Sequence, residues 1–184
     1  MIPSKNPALV VIDVQQAIDH FDVFERSHRE AEQNIAQLLN HWRTKRWPVV
    51  HVRHSSKDPC SPYHANSAHY AFKPEVAPLS SEIIVTKQEN CAFIDTRLED
   101  HLRQQGVSEL VVAGVLLNHS VDATVRVGKA LGFRIMLAAD ACPASSLTTG
   151  ADQLISADQV HQIMIANLAN EYAEIKSCRQ LLSS

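Results

Sequence analysis

The stretch Gly114-Val115-Leu116-Leu117-Asn118-His119-Ser120-Val121-Asp122-Ala123-Thr124 joins two segments of different periodicity. Before Ser120, the run of small and β-branched residues from Leu110 to Val115 reads as a buried strand. After it, Val121 to Leu131 is amphipathic and reads as a helix. Ser120 therefore falls at a strand-to-helix junction. Open α/β sheets carry their reactive groups there, at the carboxyl ends of strands and near helix N-termini. Two more polar residues close strand-like runs: Asp13 after Ala8-Leu9-Val10-Val11-Ile12, and Lys87 after Glu82-Ile83-Ile84-Val85-Thr86. An acid, an amine and a hydroxyl at three strand ends form a candidate catalytic set.

The rest of the chain alternates in the same way, which predicts an α/β fold with a parallel sheet covered by helices. Residues 8–12 are continuously apolar, as in a central strand buried on both faces. Residues 27–44 have helical periodicity, with Ala31, Ile35, Leu38, Leu39 and Trp42 on one side. Pro48 breaks the chain before a second strand, Val49-Val50-His51-Val52. A third strand is expected at 83–85, a helix at 96–105 stopped by Gly106, a fourth strand at 110–113, a helix at 121–131 stopped by Gly132, and a fifth strand at 133–138. Ser156-Ala157-Asp158-Gln159 reads as a capping box opening a last helix over 157–172. Residues 55–78 carry four prolines and no periodicity, and a connection of that length points to function. With 184 residues and no repeat or linker, residues 1–184 read as one domain.

Composition narrows the function. Hydrophobic residues make up 45% and charged residues 20%, enough for a core, and the formal net charge of −3 argues against nucleic acid or an anionic membrane as partner. No apolar run approaches the roughly 20 residues of a membrane span. The opening residues Met1 to Pro7 lack the apolar core of a signal peptide. The cysteines at 60, 91, 142 and 178 show no paired spacing, so the expectation is reduced thiols in the cytoplasm.

Three segments, Val11-Ile12-Asp13-Val14-Gln15, Val85-Thr86-Lys87 and Gly114-Val115 through Asn118-His119-Ser120-Val121, resemble the isochorismatase-like cysteine hydrolases. So do Ala71-Phe72-Lys73-Pro74-Glu75, Ala92-Phe93 and the closing stretch Val160-His161 to Ala173. The resemblance implies a Rossmann-like parallel sheet flanked by helices on both faces. It also implies a hydrolase acting on a small molecule, homo-oligomers as dimers or larger assemblies, and an Asp–Lys–Cys triad. Asp13 and Lys87 match two members of that triad, and Ser120 stands where the family has cysteine. A cis Val115–Leu116 bond is implied as well, with the N–H groups of Ser120 and its neighbour aimed at an oxyanion.

Sulfur-to-oxygen exchange matters because a thiol ionises near pH 8.5 and lower beside a cation, whereas a serine hydroxyl needs a dedicated base. Ser120 has three readings. It is a laboratory Cys→Ser variant made to trap a ligand, or a natural serine form with altered or lost amidase activity. In the third, the chain resembles the isochorismatase branch, in which Asp13 protonates a vinyl ether and no nucleophile is needed. Asn118-His119 resembles the small cysteine-hydrolase branch and favours the first two. A catalytically dead small-molecule-binding protein is the rival from another class.

The substrate-binding expectations are Gln15, which shares the side of Asp13 in an extended segment, together with Leu116, His119 and Phe93. Tyr63 and Phe72 are further candidates for a pocket wall. Taken alone, Ser120 is an N-cap of the following helix, and Cys91 a small buried thiol. His51, His54, His64 and His69 suggest a metal. Nicotinamidases of this superfamily use an Asp-x-His element that is missing from His51-Val52-Arg53-His54-Ser55, so no metal and no cofactor is expected.

Overall fold

The computed structural model describes residues 6–20 and 25–183; the polar opening Met1–Lys5 lies outside them. Six strands form one parallel sheet: β1 (Ala8–Ile12), β2 (Val49–His54), β3 (Ile83–Lys87), β4 (Glu109–Gly114), β5 (Arg134–Ala138) and β8 (Glu174–Lys176). Their order is β3-β2-β1-β4-β5-β8. Two-residue strands β6 (Leu147–Thr148) and β7 (Leu154–Ile155) pair as a small antiparallel hairpin beside it. The helices are α1 (Ala31–Lys45), α2 (Leu98–Gln104), α3 (Asp122–Ala130), α4 (Ala157–Leu168) and α5 (Cys178–Leu182).

The apolar run of β1 shows why both faces are covered. Successive side chains of a strand point to opposite sides. Ala8, Val10 and Ile12 pack with Leu98 and Leu102 of α2, Val125 of α3 and Val160 of α4. Leu9 and Val11 pack with Ile35, Leu38, Leu39 and Trp42 of α1 and with Leu181 of α5. Every residue of β1 is buried, so no polar side chain could be placed along it. The fold is thus the α/β sheet flanked by helices that the alternation predicts.

The differences from expectation lie at element ends. The first helix starts at Ala31 rather than residue 27. Ser27 is held to Ala144 by a pair of bonds, its N–H to the Ala144 carbonyl and its hydroxyl from the Ala144 N–H, and His28 takes a left-handed φ of 47°. The last long helix stops at Leu168, because Ala169 is extended and Asn170 turns left-handed at φ 69°. The chain then adds the sixth strand, β8, beside β5. Ser156 and Gln159 do form the capping box, and Ser177 with Gln180 form a second one at α5.

The sheet order reverses between β1 and β4, since β2 and β3 build outward on one side and β5 and β8 on the other. That switch point opens a crevice at the strands' carboxyl ends. Beside it β4 approaches β1 closely at Gly114, which pairs with Ile12 and has φ +136°. A Cβ there would overlap the carbonyl oxygen of Ile12 and lie 2.6 Å from its nitrogen. Gly114→Ala is therefore expected to lower stability by about 2 kcal/mol or more, through backbone strain and forced separation of the two strands. A drop in the urea midpoint at unchanged slope is the expected reading.

Candidate active site

Four strand ends converge at the crevice. Asp13 follows β1, His54 ends β2, Lys87 ends β3, and Ser120 lies beyond β4 within a five-residue π-helical turn, Leu117–Val121. Asp13 leaves the strand with a left-handed φ of 57°, a conformation aspartate tolerates better than most residues. Its N–H is fixed by the Val52 carbonyl at 2.8 Å, so the bend is anchored to β2. In the Ser120 turn, His119 departs from helical geometry (φ −132°, ψ −106°). The preceding Val115–Leu116 peptide bond is cis.

Asp13, Lys87 and Ser120 are brought together. Lys87 Nζ lies 2.6 Å from Asp13 Oδ2 and donates to Ser120 Oγ at 3.1 Å. A third neighbour, His54 Nδ1, lies 3.5 Å from the same nitrogen. Lys87 is only 1% exposed, which a lysine tolerates only when its charge is paired and its N–H groups are bonded. Burial pushes the Asp13 carboxyl above its usual range, and the Lys87 ammonium and the Ser120 hydroxyl pull against that rise. Asp13 Oδ1 is buried and has no hydrogen-bond partner, so one oxygen remains able to accept or carry a proton.

Ser120 is not the N-cap of α3. Val121 holds that position, with no side-chain cap, and the Ser120 carbonyl instead accepts from Thr124 Oγ1 at 2.7 Å. The N–H groups of both neighbours, His119 and Val121, donate to the Leu116 carbonyl.

A cavity of about 190 Å³ opens above these groups. Asp13 and Ser120 reach it, with Val115, Leu116 and His119 from the Ser120 turn and Ile18 from the segment after β1. The long 55–78 connection supplies Ser56, Ser61 and Tyr63. The volume is below the 300–1,000 Å³ usual for drug-sized ligands, so the molecule that fits is small. Burial lowers the His119 ring, and lowers His54 to about 4 with help from the Lys87 charge. Both rings are neutral near pH 7.

Two expected wall residues are elsewhere. Gln15 is fully buried beneath the site. Its Oε1 accepts from the His54 N–H at 2.7 Å, and its Nε2 donates to the carbonyls of His54 at 3.1 Å and Tyr70 at 2.9 Å. Both N–H groups and the oxygen of the amide are engaged by backbone, and the side chain does not line the cavity. Phe93 stacks on Phe133 at 5.7 Å and packs against Gly128 in the core under α3. Phe72 meets His51 edge-on rather than lining the cavity. The residues missed were His54, weighed only as a metal ligand, and Ser56, Ser61 and Asn90. The position of His54 at a strand end, like that of Asp13 and Lys87, was the available signal. Among the described residues, no three His, Cys, Asp or Glu side chains gather as a metal would require.

Comparison with known proteins agrees with this architecture. The family model described as the isochorismatase domain matches residues 7–179. An isochorismatase-family protein from Chromobacterium violaceum has a crystal structure that superposes with a TM-score of 0.94 at 44% identity, covering 98% of this chain and 93% of that one. The isochorismatase family protein YrdC of Bacillus subtilis is 36% identical over 96% of this chain and 94% of its own. Nicotinamidase 3 of Arabidopsis thaliana is 27% identical over 98% of this chain and 89% of its own.

Removing the ammonium tests the charge arrangement. In Lys87→Met the Asp13 carboxylate loses its counter-charge, and the expected cost at pH 7 is about 3 kcal/mol. Without the cation, the folded-state pKa of Asp13 rises further above its unfolded value. A carboxyl shifted that way is destabilising when ionised, and the penalty fades as pH falls through its folded pKa. The stability gap between variant and parent should therefore narrow from pH 7 toward pH 5, as read by urea titrations at each pH.

Proposed function

The chain belongs to the isochorismatase family of hydrolases, and from that membership we propose that it acts on a C–N bond of a small amide, with Ser120 at the nucleophile position. The observation that carries this reading is the Lys87 ammonium set between Asp13 Oδ2 at 2.6 Å and Ser120 Oγ at 3.1 Å. A nucleophile beside a cation is favoured as an anion, and an adjacent carboxylate can take its proton. In the proposed reaction the nucleophile attacks the amide carbon while its proton passes to Asp13. Asp13 then returns a proton to the departing nitrogen, and water releases the acyl group. In this reading the Ser120 N–H, on the turn that carries the nucleophile, is the donor for the developing oxyanion. The small cavity, whose lining apart from Asp13 is uncharged, suits a compact amide, and one relative, nicotinamidase 3, is named for such a reaction.

The nucleophile is the weak part. A serine hydroxyl is far harder to ionise than a thiol, and among the described residues the side-chain partner of Ser120 Oγ is the Lys87 amine rather than a histidine ring that would act as its base. In the proposal the Ser120 chain is a disabled or altered form. The lysine beside position 120 would instead activate a thiol strongly.

A second reading is favoured by one observation, the raised Asp13 carboxyl with its unpartnered Oδ1. An acid of that kind could protonate a vinyl ether, as an isochorismatase would require, leaving Ser120 a spectator. The first reading further takes the chain as one cytoplasmic domain that assembles as a homo-oligomer.

Ser120→Cys is expected to raise ammonia release from a panel of small amides by about 100-fold or more, with a covalent acyl adduct visible by intact mass. Asp13→Asn in that background should remove it. Equal amide turnover by both nucleophiles would overturn the thiolate reading. Isochorismate hydrolysis that survives Ser120→Ala and fails in Asp13→Asn would select the second reading.

A further inference from the structure

We propose that His54 is a substrate-positioning residue that donates from Nε2 to an uncharged acceptor, a carbonyl or amide oxygen, of the molecule held in the cavity. The inference rests on the reading of that cavity as a site for small amides.

Three observations lead to it. The first is placement. His54 is the last residue of β2 and lies opposite Lys87 in the strand register, and its ring lines the cavity. Its backbone is gripped on both polar groups by one side chain, since Gln15 accepts from its N–H and donates to its carbonyl. The edge of the Tyr63 ring system meets the imidazole, with centroids 5.7 Å apart at 73°.

The second is the proton. A protonated Lys87 Nζ has only N–H groups to offer, so a hydrogen bond to the ring nitrogen it faces at 3.5 Å uses the lone pair of His54 Nδ1. A neutral imidazole with its lone pair on Nδ1 carries its hydrogen on Nε2. His54 Nε2 has no hydrogen-bond partner among the described residues and is not counted among the sealed, unsatisfied atoms. It is a donor open to the cavity. Burial and the Lys87 charge keep the ring neutral against the opposite pull of Glu89.

The third is the charge of the surroundings. Asp13 and Lys87 neutralise each other, and the other cavity residues, Ser56, Ser61, Tyr63 and Asn90 among them, are uncharged. Among the described residues no cation lines the cavity, and its one carboxyl, Asp13, has its charge balanced by Lys87.

The two conservative replacements separate the two faces of the ring. Glutamine places its amide nitrogen where Nε2 stands and keeps the cavity donor. Asparagine places its oxygen where Nδ1 stands and keeps only the acceptor for Lys87. Binding of acetamide, propionamide and benzamide to the Ser120 protein is measured by ligand-observed NMR, with benzoate and benzylamine as charged counterparts. His54→Gln should bind the amides within about threefold of the parent, and His54→Asn should lose about tenfold, the worth of one hydrogen bond. Nitrogen-15 shifts of the parent should show His54 as the neutral Nε2–H form from pH 6 to pH 8. The inference is overturned by rescue in Asn and not in Gln, by an Nδ1–H or doubly protonated ring at pH 6, by tighter binding of benzoate or benzylamine than of benzamide, or by no amide binding at all. These readouts use binding by the unreactive form, so failure of Ser120→Cys to turn over amides would strike the proposed reaction and leave them intact.

Discussion

A single buried ammonium organises the crevice. Lys87 sits at the end of the edge strand β3 yet has almost no exposure, and three groups from three other chain segments turn toward it. Burying such an ion alone would cost several kcal/mol, so it persists only because a carboxylate, a hydroxyl and an imidazole lone pair answer its N–H groups. Each of those groups is in turn constrained. Asp13 is bent by a left-handed backbone tied to Val52, Ser120 is carried on a π-helical turn, and His54 is gripped by Gln15. The sheet supplies rigidity, and the lysine decides where the polar side chains converge.

The same logic holds the rim in place. Lys73 reaches Asp19 at 2.8 Å and Glu32 at 2.9 Å, and Arg26 reaches Glu32 at 3.0 Å. Burial pushes Glu32 upward, but the two cations outweigh it and leave its carboxyl below the usual range. Lys73 is raised by the two acids in spite of its own burial. This network joins the turn after β1, the start of α1 and the end of the 55–78 connection. Ile18, which lines the cavity, lies one residue from Asp19.

Much of this was legible from local pattern. The β1 run declared a strand covered on both faces, because no polar residue interrupts it, and the ends of three such runs gave Asp13, Lys87 and Ser120. Those are features of chain direction and periodicity, which a sequence carries directly. Gln15 and Phe93 were misread because their partners are remote: one saturates the backbone of His54 and Tyr70, the other stacks on Phe133. Strand β8 was missed because three residues are too few for alternation, and it exists through pairing with β5. His54 was read as a possible metal ligand because what gives it a role, the register of β2 against β3, appears only when the strands align.

The cavity is lined from two kinds of structure. Asp13, His54 and Ser120 reach it from strand ends and the turn that follows β4, whereas Ser56, Ser61 and Tyr63 hang from a proline-rich connection outside the sheet. Under the proposed reading, the strand ends hold the reacting groups and the connection contributes part of the wall. Drift in the connection can then reshape that part of the cavity while the sheet and its strand ends stay intact, so a lineage can vary what fits without passing through unfolded intermediates.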